Sequence, residues 1–409
     1  MAHGRFLPIS SFQALAMFRR GLFYSYLSIY LRFFLKLSVT ETTLFASIPM
    51  VLSIVFQTLV WGRISDRYQR RRSLIITGEV LAALGTTLVW WLHTLPVSGP
   101  QRGYVIIIGF SIVEIFWSMS NIGWTALISD LYPDYMRTSI QGKLSTIGAA
   151  GRIIGVWIGG LVYDGIGQLY EGWGFDRGLL FFIASGVMVL STIPILFLPE
   201  GGISRKEVTS AGSYSPKFLL LLLAMIFINF GRNSVAVIKT QYLSLEEGFD
   251  VSSQLLSYIV NMQSVAILIG GILIVPISKR VKDELLLVFG SIIGIAYLLG
   301  FVLSNLLPPI FLSNFLGGIS DVTIMASSYS YASRLIPPQY RGRQFALYNA
   351  TFFLSWGVGA TLIGGPIIDL LLRSGQGPVL AYRISFAAAA VLVFIGLLLL
   401  IITNRLEER

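Results

Sequence analysis

The chain contains no cysteine, so it holds no disulfide, no thiolate metal site and no cysteine nucleophile. Histidine is nearly absent too. His3 and His93 are the only two and stand far apart near predicted segment ends, which leaves no histidine-built metal site and no expected cofactor. Charge is thin: acidic and basic residues make up 12% of the chain against 55% hydrophobic, where a soluble domain carries roughly twice that charge. The mean hydropathy is +0.75, so the composition is that of a membrane protein. A net charge of +10 would suit nucleic acid, but the basic residues are scattered through short loops, and nucleic acid is set aside as a partner. No Gly-x-x-x-x-Gly-Lys-Ser/Thr loop is present, which argues against ATP-driven work by this chain alone. No nucleophile and base or metal cluster points to an enzyme.

What the chain has in abundance is long apolar runs. Twelve of them, at 9–35, 41–62, 73–93, 103–131, 139–163, 178–198, 217–243, 252–278, 284–304, 308–334, 344–372 and 380–403, have the roughly twenty residues that a helix needs to cross ~30 Å of hydrocarbon. The fold class is therefore an all-α polytopic membrane protein. The first run is not preceded by a separate basic region, so it is expected to be a membrane span and not a cleaved leader. Of the 30 lysines and arginines, 19 fall in or at the edge of the loops of one side, five in or at the edge of the loops of the other and six deeper inside the runs. That bias places both termini in the cytoplasm of a cell whose plasma membrane the chain crosses. The polar stretch PEGGISRKEVTSAGSYSPK separates the sixth run from the seventh. It predicts an amino-terminal bundle over 1–198, a linker over 199–216 and a carboxyl-terminal bundle over 217–409.

Between the second and third runs lies GRISDRYQRRRSL, with Arg63, Arg67, Arg70, Arg71 and Arg72 in one short aqueous loop. Gly62 is small enough for two helices to approach closely, and Asp66 can accept hydrogen bonds from arginines of its own loop or a neighbouring helix end. Gly62, Asp66, Arg67, Arg70 and Arg71 together form a Gly-x-x-x-Asp-Arg-x-x-Arg-Arg pattern that resembles the signature of major facilitator superfamily transporters. Ile64 replaces the usual leucine of that signature and Gln69 its usual second glycine. The resemblance implies twelve helices in two pseudo-symmetric six-helix bundles, working as a monomer by alternating access, with this loop as a conformational gate, and Glu79, about two turns beyond the loop, is expected to join that gate. Glu79 is expected to pair with a cytoplasmic arginine.

The two halves also resemble each other. LYPDYMR at 131–137 recurs as LIPPQYR at 335–341, an offset of 204 that pairs Pro133 with Pro337, Arg137 with Arg341 and Gly155 with Gly359. After one inserted residue, IGGLVYD at 158–164 recurs as IGGPIID at 363–369. The loop after the eighth run, SKRVKDE, has lost the arginine signature. Gly151, Gly155 and Gly159 recur every fourth residue and predict a close-packing face on the fifth helix. Drug-exporting members of the superfamily often carry a glycine-proline pair there, and Val156 stands where that proline would be.

Ionisable residues inside the runs carry the functional expectations, because each costs ~2.5–3.5 kcal/mol at the bilayer centre unless paired or wetted. Counting ~1.5 Å per residue from the nearest loop puts Arg19, Arg20, Glu114, Arg152, Arg232 and Asp321 near mid-depth, and Arg32 and Lys239 near the outer ends, where they can snorkel. Glu114, Ser118, Asn121 and Thr125 form one polar stripe, and Asn229, Arg232, Asn233 and Thr240 another. In the superfamily the first, fourth, seventh and tenth helices line the cavity, and each of these carries a mid-depth ionisable residue here.

The expected substrate-binding set is Arg19, Arg20, Tyr26, Asn121, Arg152, Asn229, Arg232 and Asn233. Glu114 and Asp321 are the expected proton carriers, with a Glu114 to Arg152 pairing as the competing structural role. Four mid-depth arginines against two carboxylates favour a small organic solute, anionic or polyhydroxylated, moved by proton-coupled secondary transport. Export of amphipathic drugs by proton antiport is the alternative; uniport and a membrane-embedded enzyme rank lower.

Overall fold

Sixteen helices and no strand make up the described residues of this computed structural model, which are 3–132, 134–166, 171–201, 215–336 and 341–405. Among the described residues, eleven stretches are long and apolar enough to cross a membrane. Helix α1 (His3–Ile29) is long enough as well, with Arg19 and Arg20 in its interior. Pro133, Pro337 and most of the linker lie outside the described residues, as do the side chains of Asp66, Arg137 and Arg341.

The chain divides into two compact units, Met1–Arg205 with Ser252–Asn261, and Lys206–Val251 with Met262–Arg409. In the first unit α1 is followed by α2 (Val39–Phe56), α3 (Gly62–Tyr68), α4 (Arg71–His93), α5 (Gly99–Leu131), α6 (Asp134–Tyr163), the single turn α7 (Trp173–Asp176) and α8 (Leu179–Leu196). The second holds α9 (Pro216–Asn233), α10 (Ile238–Leu243), most of α11 (Ser253–Ser278), α12 (Asp283–Leu303), α13 (Leu307–Leu335), α14 (Arg341–Gly359), α15 (Gly365–Arg373) and α16 (Pro378–Arg405). The first turns of α11 belong to the first unit, where Ser253 Oγ donates to Gly160 O at 2.7 Å and Asn261 Nδ2 to Ile153 O at 3.1 Å. The sequence boundary at the linker did not anticipate this.

Local chemistry sets the helix limits. Ser38 and Glu41 form a reciprocal capping box that starts α2: Ser38 Oγ accepts from the Glu41 N–H at 3.2 Å, and Glu41 Oε2 from the Ser38 N–H at 2.7 Å. Ser215 caps α9, with Pro216 at the first helical position. Among the described residues, a π turn ends the first span at Tyr30–Phe34 and two others interrupt spans at Gln57–Trp61 and Ala360–Gly364. The last falls where the second copy of the repeat has its inserted residue, because an i to i+5 turn accommodates one residue more than an α turn. The seventh run, read as one helix from the sequence, breaks between α9 and α10.

Packing follows one scheme twice. In the first unit α1 lies on α6 and α8, and α4 on α5 and α8; in the second α9 lies on α14 and α16, and α12 on α13 and α16. The glycine face of α6 meets α1 as expected: a Cβ at Gly151, Gly155 or Gly159 would collide with the carbonyl oxygens of Ala14, Phe18 and Leu22. Outward faces are apolar. On α4, Leu81, Leu84, Leu88 and Trp91 are exposed while Ile75, Glu79, Ala82, Thr86 and Val89 are buried. A helix with its polar groups inside and its leucines outside is solvated by lipid, not water.

Candidate functional site

Each unit holds one cluster of ionisable side chains deep in its helices. In the first, Arg19 on α1 is 2% exposed and its Nη1 lies 3.3 Å from Glu79 Oε2 on α4. Glu79 Oε1 also accepts from Trp117 Nε1 at 3.0 Å and from Ser120 Oγ at 2.8 Å, both on α5. The Trp117 ring carries both arginines, with the guanidinium carbons of Arg19 and Arg20 at 4.1 and 4.6 Å from its centroid. Arg20 itself is exposed. One turn before Trp117, Glu114 is half-buried, hydrogen-bonded by Ser53 of α2 and within the field of Arg20 and Arg19.

The arrangement corrects two expectations. Glu79 pairs with the mid-helix Arg19 and not with an arginine of the loop, because the α1 side chain reaches it across the bundle. Glu114 does not pair with Arg152, which is half-buried and has no ion-pair partner among the described residues. Trp117, Ser120 and Ser53 were not anticipated from the sequence, although the spacing of Ser120 and Trp117 to Glu114 places them on the inner half of α5.

At the motif end Gln69 takes the left-handed conformation at φ 54°, so the turn that a second glycine would make survives without it. Arg71 is buried, donates to Ser65 O and Ser65 Oγ, and lies 3.4 Å from Asp130 Oδ2 at the end of α5. Glu200, beyond α8, closes the start of α4. Its backbone oxygen accepts from the N–H groups of Arg71 and Arg72, and its carboxylate from the Ser73 N–H and Arg72 Nε, both at 3.0 Å. Arg67 and Arg70 are exposed. Among the described residues, the atoms that a Cβ at Gly62 would meet belong to Gln57 of its own π turn, with Gln57 O at 2.8 Å.

In the second unit Arg232 on α9 is ion-paired with Asp321 on α13, at side-chain exposures of 10% and 28%. Gln263 of α11 donates from Nε2 to Asp321 Oδ2 at 2.6 Å, and its Oε1 accepts from Lys239 Nζ at 2.8 Å. Lys239, placed at the outer end by the sequence count, is 5% exposed and stands 5.8 Å from the Tyr297 ring. Depth along a helix does not reveal a half-buried glutamine one helix away.

Three expected contacts with substrate are occupied by packing. Tyr26 is fully buried, donates its hydroxyl to Val156 O at 2.8 Å and stacks on Tyr163. Asn229 donates to Thr351 Oγ1 at 3.1 Å and Asn233 to Ser355 Oγ at 2.9 Å, so both tie α9 to α14. In the α5 stripe Ser118 is buried with its hydroxyl on Ile115 O, while Asn121 is half-buried and Thr125 exposed.

A family model described as Major Facilitator Superfamily matches residues 9–360 and 221–409. An uncharacterised MFS-type transporter of Bacillus subtilis (strain 168), YhjO, is 25% identical over 362 residues, 87% of this chain and 82% of the relative. The multidrug resistance protein MdtG of Enterobacter lignolyticus (strain SCF1) is 25% identical over 316 residues, 75% of this chain and 71% of its own. The multi-drug resistance efflux pump PmrA of Streptococcus pneumoniae serotype 4 (strain ATCC BAA-334 / TIGR4) is 24% identical over 356 residues, 80% of each chain. Among solved structures, the occupied inward-facing form of a bacterial homolog of the human lysosomal transporter Spinster superposes with a TM-score of 0.73 at 16% identity, over 99% of this chain and 97% of that one. The nucleoside transporter NupG gives 0.70 at 14%, over 97% and 98%. At those identities the likeness is one of fold. With a family model spanning both units and both charge clusters, the chain belongs to the major facilitator superfamily and is a multi-pass membrane transporter, not an enzyme.

Proposed function

We propose that the chain is a proton-coupled secondary transporter of small organic solutes that carry a negative charge, working as a monomer in the plasma membrane with both termini cytoplasmic. The observation that supports it is an excess of cations along the inner stretches of the helices: Arg19 and Lys239 are buried, Arg152 and Arg232 half-buried and Arg20 exposed, against Glu79, Glu114 and Asp321. Counterions held by protein alone would balance; two cations in excess at low dielectric favour an anion. In this reading Arg232 holds the anionic group and Asp321, which the substrate displaces, carries the proton, with Glu114 as a second titrating group. The loop of Gly62, Asp66, Arg67, Arg70 and Arg71 then gates the exchange of access. Export of amphipathic compounds by proton antiport is the second reading, supported by the names of MdtG and PmrA.

One experiment separates them. Purified protein is screened by thermal shift against organic anions and lipophilic cations, alongside Arg232→Ala and Asp321→Asn. A ligand at a hundred times its Kd stabilises by ~2.7 kcal/mol when it binds only the folded state. Anion stabilisation lost in Arg232→Ala supports the first reading; cation stabilisation that depends on Asp321 replaces it with the second.

A further inference from the structure

Both oxygens of Asp321 face donors. Oδ1 pairs with the Arg232 guanidinium on α9, and Oδ2 accepts from Gln263 Nε2 on α11 at 2.6 Å. The other end of the same amide, Oε1, accepts from Lys239 Nζ on α10 at 2.8 Å. The partners fix which way round the amide sits: an ammonium has three donors and no acceptor, so the oxygen turns to Lys239 and the NH2 to Asp321. The backbone at Gln263 is pinned. Gly318 stands one turn before Asp321 on α13, and a Cβ there would collide with the Gln263 carbonyl oxygen and with Ala266 Cβ. What can move at this level is the half-buried side chain of Gln263.

The carboxylate fits this frame and its proton does not. A hydrogen added to Oδ1 points into the guanidinium, and one added to Oδ2 points into the NH2; neither group offers a lone pair. An arginine cannot become an acceptor, but a glutamine can. Half a turn about its last side-chain bond, a torsion with two broad wells, exchanges Oε1 with Nε2. The O–H of a protonated Asp321 then donates to Oε1, and nothing else is released. The same half-turn sets the NH2 against the Lys239 ammonium, donor against donor. Protonation of Asp321 at Oδ2 and the hydrogen bond from Lys239 to Gln263 therefore exclude each other.

We propose that Gln263 is a positioning residue for proton uptake, an amide toggle through which Lys239 controls whether Asp321 accepts a proton. This deepens the proposed function and rests on its assignment of Asp321 as the proton carrier, whatever the cargo. Lys239 thereby joins the coupling machinery without touching Asp321. The charged and titratable groups around the toggle are Arg232 on α9, Lys239 on α10 and Tyr297 on α12, whose ring is 5.8 Å from Lys239 Nζ, with Tyr348 of α14 in the field of Arg232. Of these, Lys239 is the one that holds the amide. An ammonium acting through space influences Asp321 whether or not the amide is there; one acting through the amide needs it.

The test is an infrared pH titration of the full-length purified protein that follows the C=O band of protonated carboxyl groups, with Asp321→Asn identifying the band of Asp321. Lys239→Met and Gln263→Met are then combined in a double-mutant cycle, which separates an effect relayed by Gln263 from one that bypasses it. Lys239→Met unlocks the amide and is expected to raise the midpoint of the Asp321 band by about one pH unit, a tenfold gain in proton affinity. In the Gln263→Met background the same substitution is expected to shift it little. Lys239→Arg, which also offers the amide donors only, is expected to keep the wild-type midpoint. A merely structural role for Gln263 would lower the melting temperature and leave the midpoint where it was. An equal shift from Lys239→Met in both backgrounds, or no shift in either, overturns the toggle while Asp321 remains the proton carrier and the proposed function stands. If no titrating band is lost in Asp321→Asn, the toggle and the proposed role of Asp321 fail together.

Discussion

The start of α4 and the start of α12 occupy the same place in the two units, yet their charges are reversed. In the first unit Arg71 opens the helix and pairs with Asp130 at the end of α5. In the second, Asp283 and Glu284 open α12 and pair with Arg334 at the end of α13, at 3.2 and 2.6 Å. Asp130 and Arg334 are separated by the 204-residue offset of the repeat. The clasp between neighbouring helices is therefore kept while its polarity is not. Acids in a first turn suit the helix dipole; arginines oppose it. The first unit makes up the difference with Glu200, which brings both a carboxylate and a carbonyl to the amide groups that α4 exposes. The arginine signature thus depends on an acid more than a hundred positions away in sequence.

Reversing each clasp sharpens the contrast. Asp130→Arg sets a second cation against the buried Arg71 and is expected to destabilise the first unit by ~3–5 kcal/mol, the cost of an uncompensated buried charge. Arg334→Asp sets a third acid against Asp283 and Glu284, and is expected to cost less, ~1–3 kcal/mol, because the Arg334 side chain is itself 51% exposed and its replacement can turn to solvent. Unfolding of both variants in detergent measures this, and equal losses would break the distinction. The repeat-related glycines come next. Gly155→Ala drives a methyl into the Phe18 carbonyl and should cost ~1–3 kcal/mol. At Gly359 the nearest atom to a Cβ is Ser234 N at 3.3 Å, so Gly359→Ala should be close to neutral in the same assay. Glu200→Ala removes the borrowed cap at a cost of ~1 kcal/mol, read as faster hydrogen exchange at the first amides of α4. Smallest and opposite in sign, Gln69→Gly relieves a left-handed non-glycine residue and should raise stability by up to ~1 kcal/mol. A drop in melting temperature there would mean that the Gln69 side chain does work the backbone does not reveal.

Much of this architecture was legible because hydrophobic length and charge placement are one-dimensional properties. The twelve runs, the glycine face of α6 and the presence of ionisable residues deep in the helices all follow from counting along the chain. Partners do not. Glu79 and Arg19 lie at the same depth on helices whose adjacency no residue count supplies, and Gln263 carries no charge to betray it. Helical periodicity showed that Asn229 and Asn233 share a face, but whether that face meets a cavity or α14 is decided by the fold. Gln69 is instructive in the other direction: it stands where the signature has a glycine, and the backbone makes the left-handed turn anyway.

The π turn at Ala360–Gly364 has a consequence for the chain's history of length. An extra residue in a regular helix would swing everything beyond it by about 100° around the axis, since each residue advances that far. Absorbed in one wide turn, the insertion leaves Gly364 against the backbone at Ser234, after α9, as Gly159 lies against the backbone of α1 at Leu22 in the other copy. The wide turn works as an expansion joint, letting a span change length without re-addressing any side chain downstream.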